Sequence, residues 1–173
     1  GAGVGQYGHA LHSLQSDVRW RGYDGAGNVG SFTSGFVSFV DLTVPLAFPR
    51  ADWVVSLETG EHIPYTNEFL FVRNLHAHNC RGIILSWARL SQWGLGHVNN
   101  HDPAYVLETM EGLGYRYSAA LSNALRKGEG VRVRDDHNAT TERYFWFRRP
   151  SLAAFERITP LQAPGCTPCA SAL

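Results

Sequence analysis

The chain has 173 residues, 44% of them apolar and 17% charged, and its 15 basic and 15 acidic side chains give a formal net charge of zero. That composition fits one domain with a sizeable core and excludes a disordered, highly charged tail as the whole molecule. Zero net charge gives no general drive toward nucleic acid or anionic membrane, and no stretch reaches the ~18 apolar residues of a membrane-spanning helix.

Apolar strand-like runs alternate with helical patterns, which predicts an α/β domain with a mostly parallel sheet. The chain opens on glycines and passes straight into a helical pattern over 4–14. Alternation of Val18, Trp20 and Gly22 predicts a strand over 18–24. A second strand, 36–42, is stopped by Pro45. A third, 52–57, is short and continuously apolar, as in a strand buried on both faces. Residues 66–79 read as a helix with Phe69, Val72, Leu75 and His76 on one face. A strand over 82–87 leads into the loop "ARLSQWGLGHVNNH". Asp102-Pro103 is a helix start, with a side chain able to cap free amides and a proline in the first turn. That helix runs through Tyr105, Leu107 and Met110 to Gly114. A strand over 115–120, an arginine-bearing polar stretch and a last strand over 144–149, closed by Pro150, complete the domain. The domain is expected to span 1–150, followed by a poorly ordered C-terminal extension over 151–173. The odd cysteine count (Cys80, Cys166, Cys169) without regular spacing argues against a disulfide framework.

The opening "GAGVGQYG" formally matches a dinucleotide fingerprint, Gly3-x-Gly5-x-x-Gly8. Such a turn lets backbone amides approach a cofactor closely. Asp24, near the end of the next strand, can accept both hydroxyls of a ribose. Alone, this pattern suits NAD, FAD and S-adenosylmethionine equally. Asp41 and Leu42 end the following strand, where an acid can bond an adenine amino group and apolar neighbours sandwich the ring. The stretch "ADWVVSLETGEHIP" then places Glu58, Glu61 and His62 past a buried strand.

In order and spacing, these four blocks resemble class I S-adenosylmethionine-dependent methyltransferases, in a type 11 or ubiquinone-biosynthesis-like branch that carries E-x-x-E-H. The resemblance covers about residues 1–150. It implies a Rossmann-like sheet in the order 3-2-1-4-5-7-6 with the last strand antiparallel. The family's first strand and its leading acid would precede Gly1, so a truncated chain is expected. By family position Gly1, Gly3 and Gly5 would line the cofactor's methionine side, Asp24 the ribose, Asp41 and Leu42 the adenine, and Glu58 the reacting methyl.

Two readings of Glu58, Glu61 and His62 stay open. In one they are structural, bordering the cofactor pocket. In the other Glu58, Glu61, His62 and His97, the last from the loop, hold a divalent cation, as in the similar small-RNA terminal 2′-O-methyltransferases. His97 can instead act as a general base at the acceptor, with Glu58 beside it. His101, next to the helix cap, is expected at the surface. The acceptor expected is a small molecule, methylated on oxygen or nitrogen; nucleic acid is the less favoured partner. Rival expectations are a metal-assisted RNA 2′-O-methyltransferase, an NAD-dependent oxidoreductase and a non-catalytic methyltransferase-like scaffold. The default compartment is the cytoplasm.

Overall fold

The structure is a computed structural model that describes residues 1–15, 17–127 and 151–166. The chain forms α1 (Gln6–Leu14), β1 (Gly22–Asp24), α2 (Val29–Phe32), β2 (Val37–Phe39), β3 (Ala51–Ser56), α3 (Glu68–Ala77), β4 (Asn79–Leu85), α4 (Pro103–Gly112), β5 (Tyr115–Tyr117), α5 (Ala119–Lys127) and β6 (Ala153–Arg157). Two 3-10 turns, Gly60–His62 and Tyr65–Asn67, connect β3 to α3.

β1 pairs with β2 in parallel. The other four strands lie in the order β3-β4-β6-β5, with β3 and β4 parallel and β6 antiparallel to both of its neighbours. Strands β1 to β6 thus take places two to seven of the order 3-2-1-4-5-7-6, which is the Rossmann-like class I methyltransferase arrangement. Place one has no strand among the described residues. Residues 1 and 2 sit at the head of that gap: the Ala2 amide donates to the Tyr23 carbonyl at 2.9 Å, and Gly1 abuts the Thr59 side chain.

The core lies between the four-stranded sheet and helices α3 and α4. It joins Phe71 and Leu75 to Ile83, Leu85 and Trp87, and closes with Met110, Tyr115, Ala153 and Phe155. These side chains hold α3 and α4 against β4, β5 and β6, and each fully buried Leu, Ile, Phe or Met contributes roughly 1.5–3 kcal/mol.

Several expected elements differ. The strand predicted over 18–24 is shortened to β1 because the Trp20 ring folds back over Gly8 and Gly22. Likewise 36–42 shortens to β2. β3 is not buried on both faces: Val55 is 56% exposed. Helix α3 turns a different face inward from the one predicted, burying Glu68, Phe71, Asn74 and Leu75 and leaving Phe69 exposed. Its two inward polar residues carry hydrogen bonds, which outweighs the apolar preference of Phe69. Asp102 precedes α4, but its side chain makes no capping bond. Residues 119–120 belong to α5 and not to the strand.

The strand predicted over 144–149 lies outside the described residues. The antiparallel strand β6 falls instead at Ala153–Arg157, inside what was expected to be a C-terminal extension. Beyond it the tail is anchored, with the Leu161 amide donating to the Cys80 carbonyl. A disulfide joins Cys80 to Cys166, against the expectation from cysteine count alone. Cys169 lies outside the described residues.

Candidate functional site

The glycine turn and Asp24 are joined by a hydrogen bond. Gly3 and Gly5 have φ of 55° and 82°, a left-handed backbone that glycine adopts without strain. At Gly5 a Cβ would lie 2.7 Å from the Phe36 ring, so the close packing of α1 on this ring also requires glycine. The Gly3 amide donates to Asp24 Oδ2 at 2.9 Å and the Ala26 amide to Asp24 Oδ1 at 2.9 Å. Burial pushes the Asp24 carboxyl up, but the amides of Ala26 and Gly3 outweigh it and hold the group below its ordinary value. An ionised carboxylate has about four lone-pair sites, so these amides, with that of Gly25 also acting on the group, still leave room for a hydroxyl donor.

Asp41 is exposed and accepts from its own turn, from the Thr43 amide at 2.8 Å and the Thr43 hydroxyl at 2.6 Å. These bonds lower its carboxyl below the ordinary range. Leu42 is half-buried against the core, and its carbonyl accepts from Asn74 Nδ2 at 3.1 Å.

Past β3 the chain turns sharply. Glu58 has a φ of 49°, sparsely populated for a residue with a Cβ. The turn is fixed by β4: the Glu58 amide donates to Ser86 Oγ at 3.0 Å. Gly60 lies flat under the Trp87 ring, where a Cβ would approach to 2.5 Å. The 3-10 turn that follows points Glu61 inward and leaves His62 outward.

Glu61 is fully buried, and neither of its carboxylate oxygens accepts a hydrogen bond. Burial raises its carboxyl from 4.5 to about 7, and the neighbouring Glu58 carboxylate adds to the effect. Glu58 accepts from Gln92 Nε2 at 3.0 Å through Oε2, while its Oε1 is buried without a partner.

The loop after β4 brings His97 to this turn. The Val98 and Asn99 amides donate to the Glu61 carbonyl at 2.8 and 3.1 Å. His62 Nδ1 donates to the Gly96 carbonyl at 3.1 Å and His97 Nδ1 to the Gln92 carbonyl at 3.2 Å. Both bonds fix the Nδ1–H tautomer and leave Nε2 with its lone pair. The two rings meet edge to face with centroids 5.0 Å apart. One ligand-type atom from each of Glu61, His62 and His97 lies within 4.8 Å of the other two. Three of the four residues predicted as a metal set are therefore gathered, with Glu58 adjacent.

Behind this cluster is a carboxylate that the sequence reading missed. Glu68, in the first turn of α3, is buried. It accepts from Asn99 Nδ2 at 2.8 Å and His101 Nε2 at 2.6 Å through one oxygen, and from the Tyr105 hydroxyl through the other. Burial pushes this carboxyl up, yet those three donors pull it below its ordinary value. His101 is consequently half-buried and stacked on Tyr105 at 3.9 Å, not a surface residue. The partners of Glu68 lie more than 30 positions away, so no local pattern flags it.

No protein-family profile matches the chain, and no curated protein matches its sequence. Solved structures do match its fold. Magnesium protoporphyrin IX methyltransferase (ChlM) from Synechocystis PCC 6803 with bound SAM superposes with a TM-score of 0.59 at 18% identity, covering 91% of this chain and 67% of that one. The O-methyltransferase NcsB1 from neocarzinostatin biosynthesis, in complex with SAH and 1,4-dihydroxy-2-naphthoic acid, gives 0.52 at 14% identity, with coverage of 93% and 48%. LepI in complex with SAM gives 0.53 at 10% identity, covering 90% of this chain and 40% of that one. At these identities the likeness establishes the class I methyltransferase fold.

Proposed function

We propose that this chain binds S-adenosylmethionine at the carboxyl ends of β1, β2 and β3 and transfers its methyl group to a small-molecule acceptor. The observation that carries the reading is the junction of Asp24 with the glycine turn. It is supported by acids at or just past three strand ends: Asp24, Asp41 and Glu58. The matched structures contain SAM or SAH on the same fold. Gly1, Gly3 and Gly5 lie along the methionine side, Asp24 accepts a ribose hydroxyl, and Asp41 and Leu42 border the adenine.

The cofactor, when bound, supplies an activated methyl on a sulfonium. The chain's residues then have to align the acceptor, exclude water and take one proton. The His97 imidazole lies beside Glu61, and with Nδ1–H bonded to the Gln92 carbonyl its other nitrogen can accept that proton. Leu95, 88% exposed, and Trp93, 89% exposed, flank His97 in the loop and offer an apolar wall to the acceptor. Residues 56–72 and 90–115 contain no lysine or arginine. Apart from Arg89, exposed at the start of the loop, a surface built from these segments offers no lysine or arginine to pair with phosphate, which favours a small molecule over RNA.

A specific observation favours a metal-assisted version of this chemistry. Two buried Glu61 oxygens and Glu58 Oε1 lack hydrogen-bond partners, and His62 and His97 each bring a ring nitrogen within 4.8 Å of a Glu61 oxygen. That donor set suits Mg²⁺, Mn²⁺ or Zn²⁺. Glu58, Glu61, His62 and His97 would hold the ion, which would lower the pKa of an acceptor hydroxyl.

Calorimetric titration with S-adenosylmethionine and with NAD tests the cofactor. Binding of the first alone is expected. Binding of NAD alone would make the chain a dinucleotide enzyme, and binding of neither would leave a scaffold.

A further inference from the structure

We propose that Glu68 is a positioning residue: through Asn99, His101 and Tyr105 it clamps the end of the loop, so that His97 is held against Glu61 and His62. The inference rests on the reading that these three residues act together.

The argument is one of connectivity. Residues 88–101 contain no helix or strand, so the loop's position depends on discrete bonds. Its middle contacts the site through Gln92, Gly96 and His97. Its end is tied by Asn99, whose carbonyl accepts from Trp87 Nε1 at 2.6 Å and whose side chain donates to Glu68. His101 and Tyr105 fasten the entry into α4 to the same carboxylate. Only one residue separates His97 from Asn99. Glu68 itself is fixed by α3, whose Phe71 and Leu75 are in the core. A buried anion with three donors is a rigid anchor, because hydrogen bonds to a charged acceptor are about twice as strong as neutral ones. Removing it leaves three donors facing an empty position and frees the Val98 and Asn99 amides to leave the Glu61 carbonyl.

The test compares wild type with Glu68→Gln, which keeps the shape but sets an amide donor against donors. Two readouts are taken. The first is the tautomer of His97 in the metal-free protein, from ¹⁵N–¹H spectra of the imidazoles. The second is the affinity for Co²⁺ alone, from its visible absorption. In wild type His97 is expected to hold a single Nδ1–H form. In Glu68→Gln it is expected to exchange between tautomers and Co²⁺ affinity to fall about tenfold or more, while calorimetry shows unchanged S-adenosylhomocysteine binding. An unchanged His97 tautomer in the folded variant overturns the proposal. If wild type takes up no Co²⁺, the cation reading fails and the tautomer readout still decides Glu68. Should Glu68→Gln not fold, Tyr105→Phe removes one bond to the same carboxylate and is read in the same way.

Discussion

Glu61 and Glu68 are seven positions apart, and both are buried, yet they sit on opposite sides of the ordinary carboxyl range. Neither carboxylate oxygen of Glu61 has a hydrogen-bond partner, and the group is raised to about 7. Glu68 has three and is lowered. The difference carries a sign for stability. A carboxyl raised in the folded state binds its proton more tightly there than in the unfolded chain. Its contribution is fully present below the unfolded value of 4.5 and is lost as pH rises through about 7. Metal-free protein is therefore expected to lose stability between about pH 5 and pH 8 on account of Glu61. Glu61→Gln should flatten that dependence and be more stable than wild type at pH 8. Urea titrations of both proteins at pH 5 and pH 8 check this; equal slopes with pH would remove Glu61 as the source.

The loop over 88–101 is the element in which the site is made or lost. His97 lies against Gly94, where a Cβ would come 2.1 Å from Nε2 and 2.4–2.5 Å from the adjacent ring carbons. Gly94→Ala is thus expected to push the imidazole out of the cluster and weaken Co²⁺ binding about tenfold, while the thermal midpoint moves by no more than a few degrees. The composition of this loop was legible in the sequence, because Gly-rich flanks around a histidine after an apolar strand read as a site loop. Glu58, Glu61 and His62 read as charge placed past an apolar strand, and His97 joins them through the resemblance to methyltransferases that carry E-x-x-E-H. The anchoring of the loop was not legible. Glu68 opens a helix like many surface glutamates, and its partners are brought to it only by the packing of α3 beside β4. Helix α3 shows the same limit: Phe69 fits the apolar period, yet Asn74 points inward because it bonds the backbone of Leu42, Val44 and Leu46.

At the scale of the molecule, the alternation of strands and helices was enough to predict an α/β domain with a mostly parallel sheet, while the strand order came only from the resemblance to class I methyltransferases. The position of the antiparallel strand was not legible, since 144–149 has the stronger β pattern while 153–157 holds place seven. The Cys80–Cys166 bond could not be derived either: its partners are 86 positions apart. It ties the tail to the amino end of β4, whereas the candidate site lies past that strand's carboxyl end. Cys166→Ser is expected to lower stability by about 2–4 kcal/mol through the freed chain entropy and to leave S-adenosylhomocysteine affinity unchanged. Thermal melts and calorimetry on the same preparations separate the two effects.

The loop also divides its labour by side. Gln92, Gly94, Gly96 and His97 bond or pack inward, while Trp93 and Leu95 project into solvent and hold nothing of the fold in place. Replacing either with alanine should alter folding stability by less than about 0.5 kcal/mol, a shift that chemical denaturation can bound. Such positions can change over generations without cost to folding, so the face of the loop turned to solvent is free to vary while the part that holds His97 stays fixed.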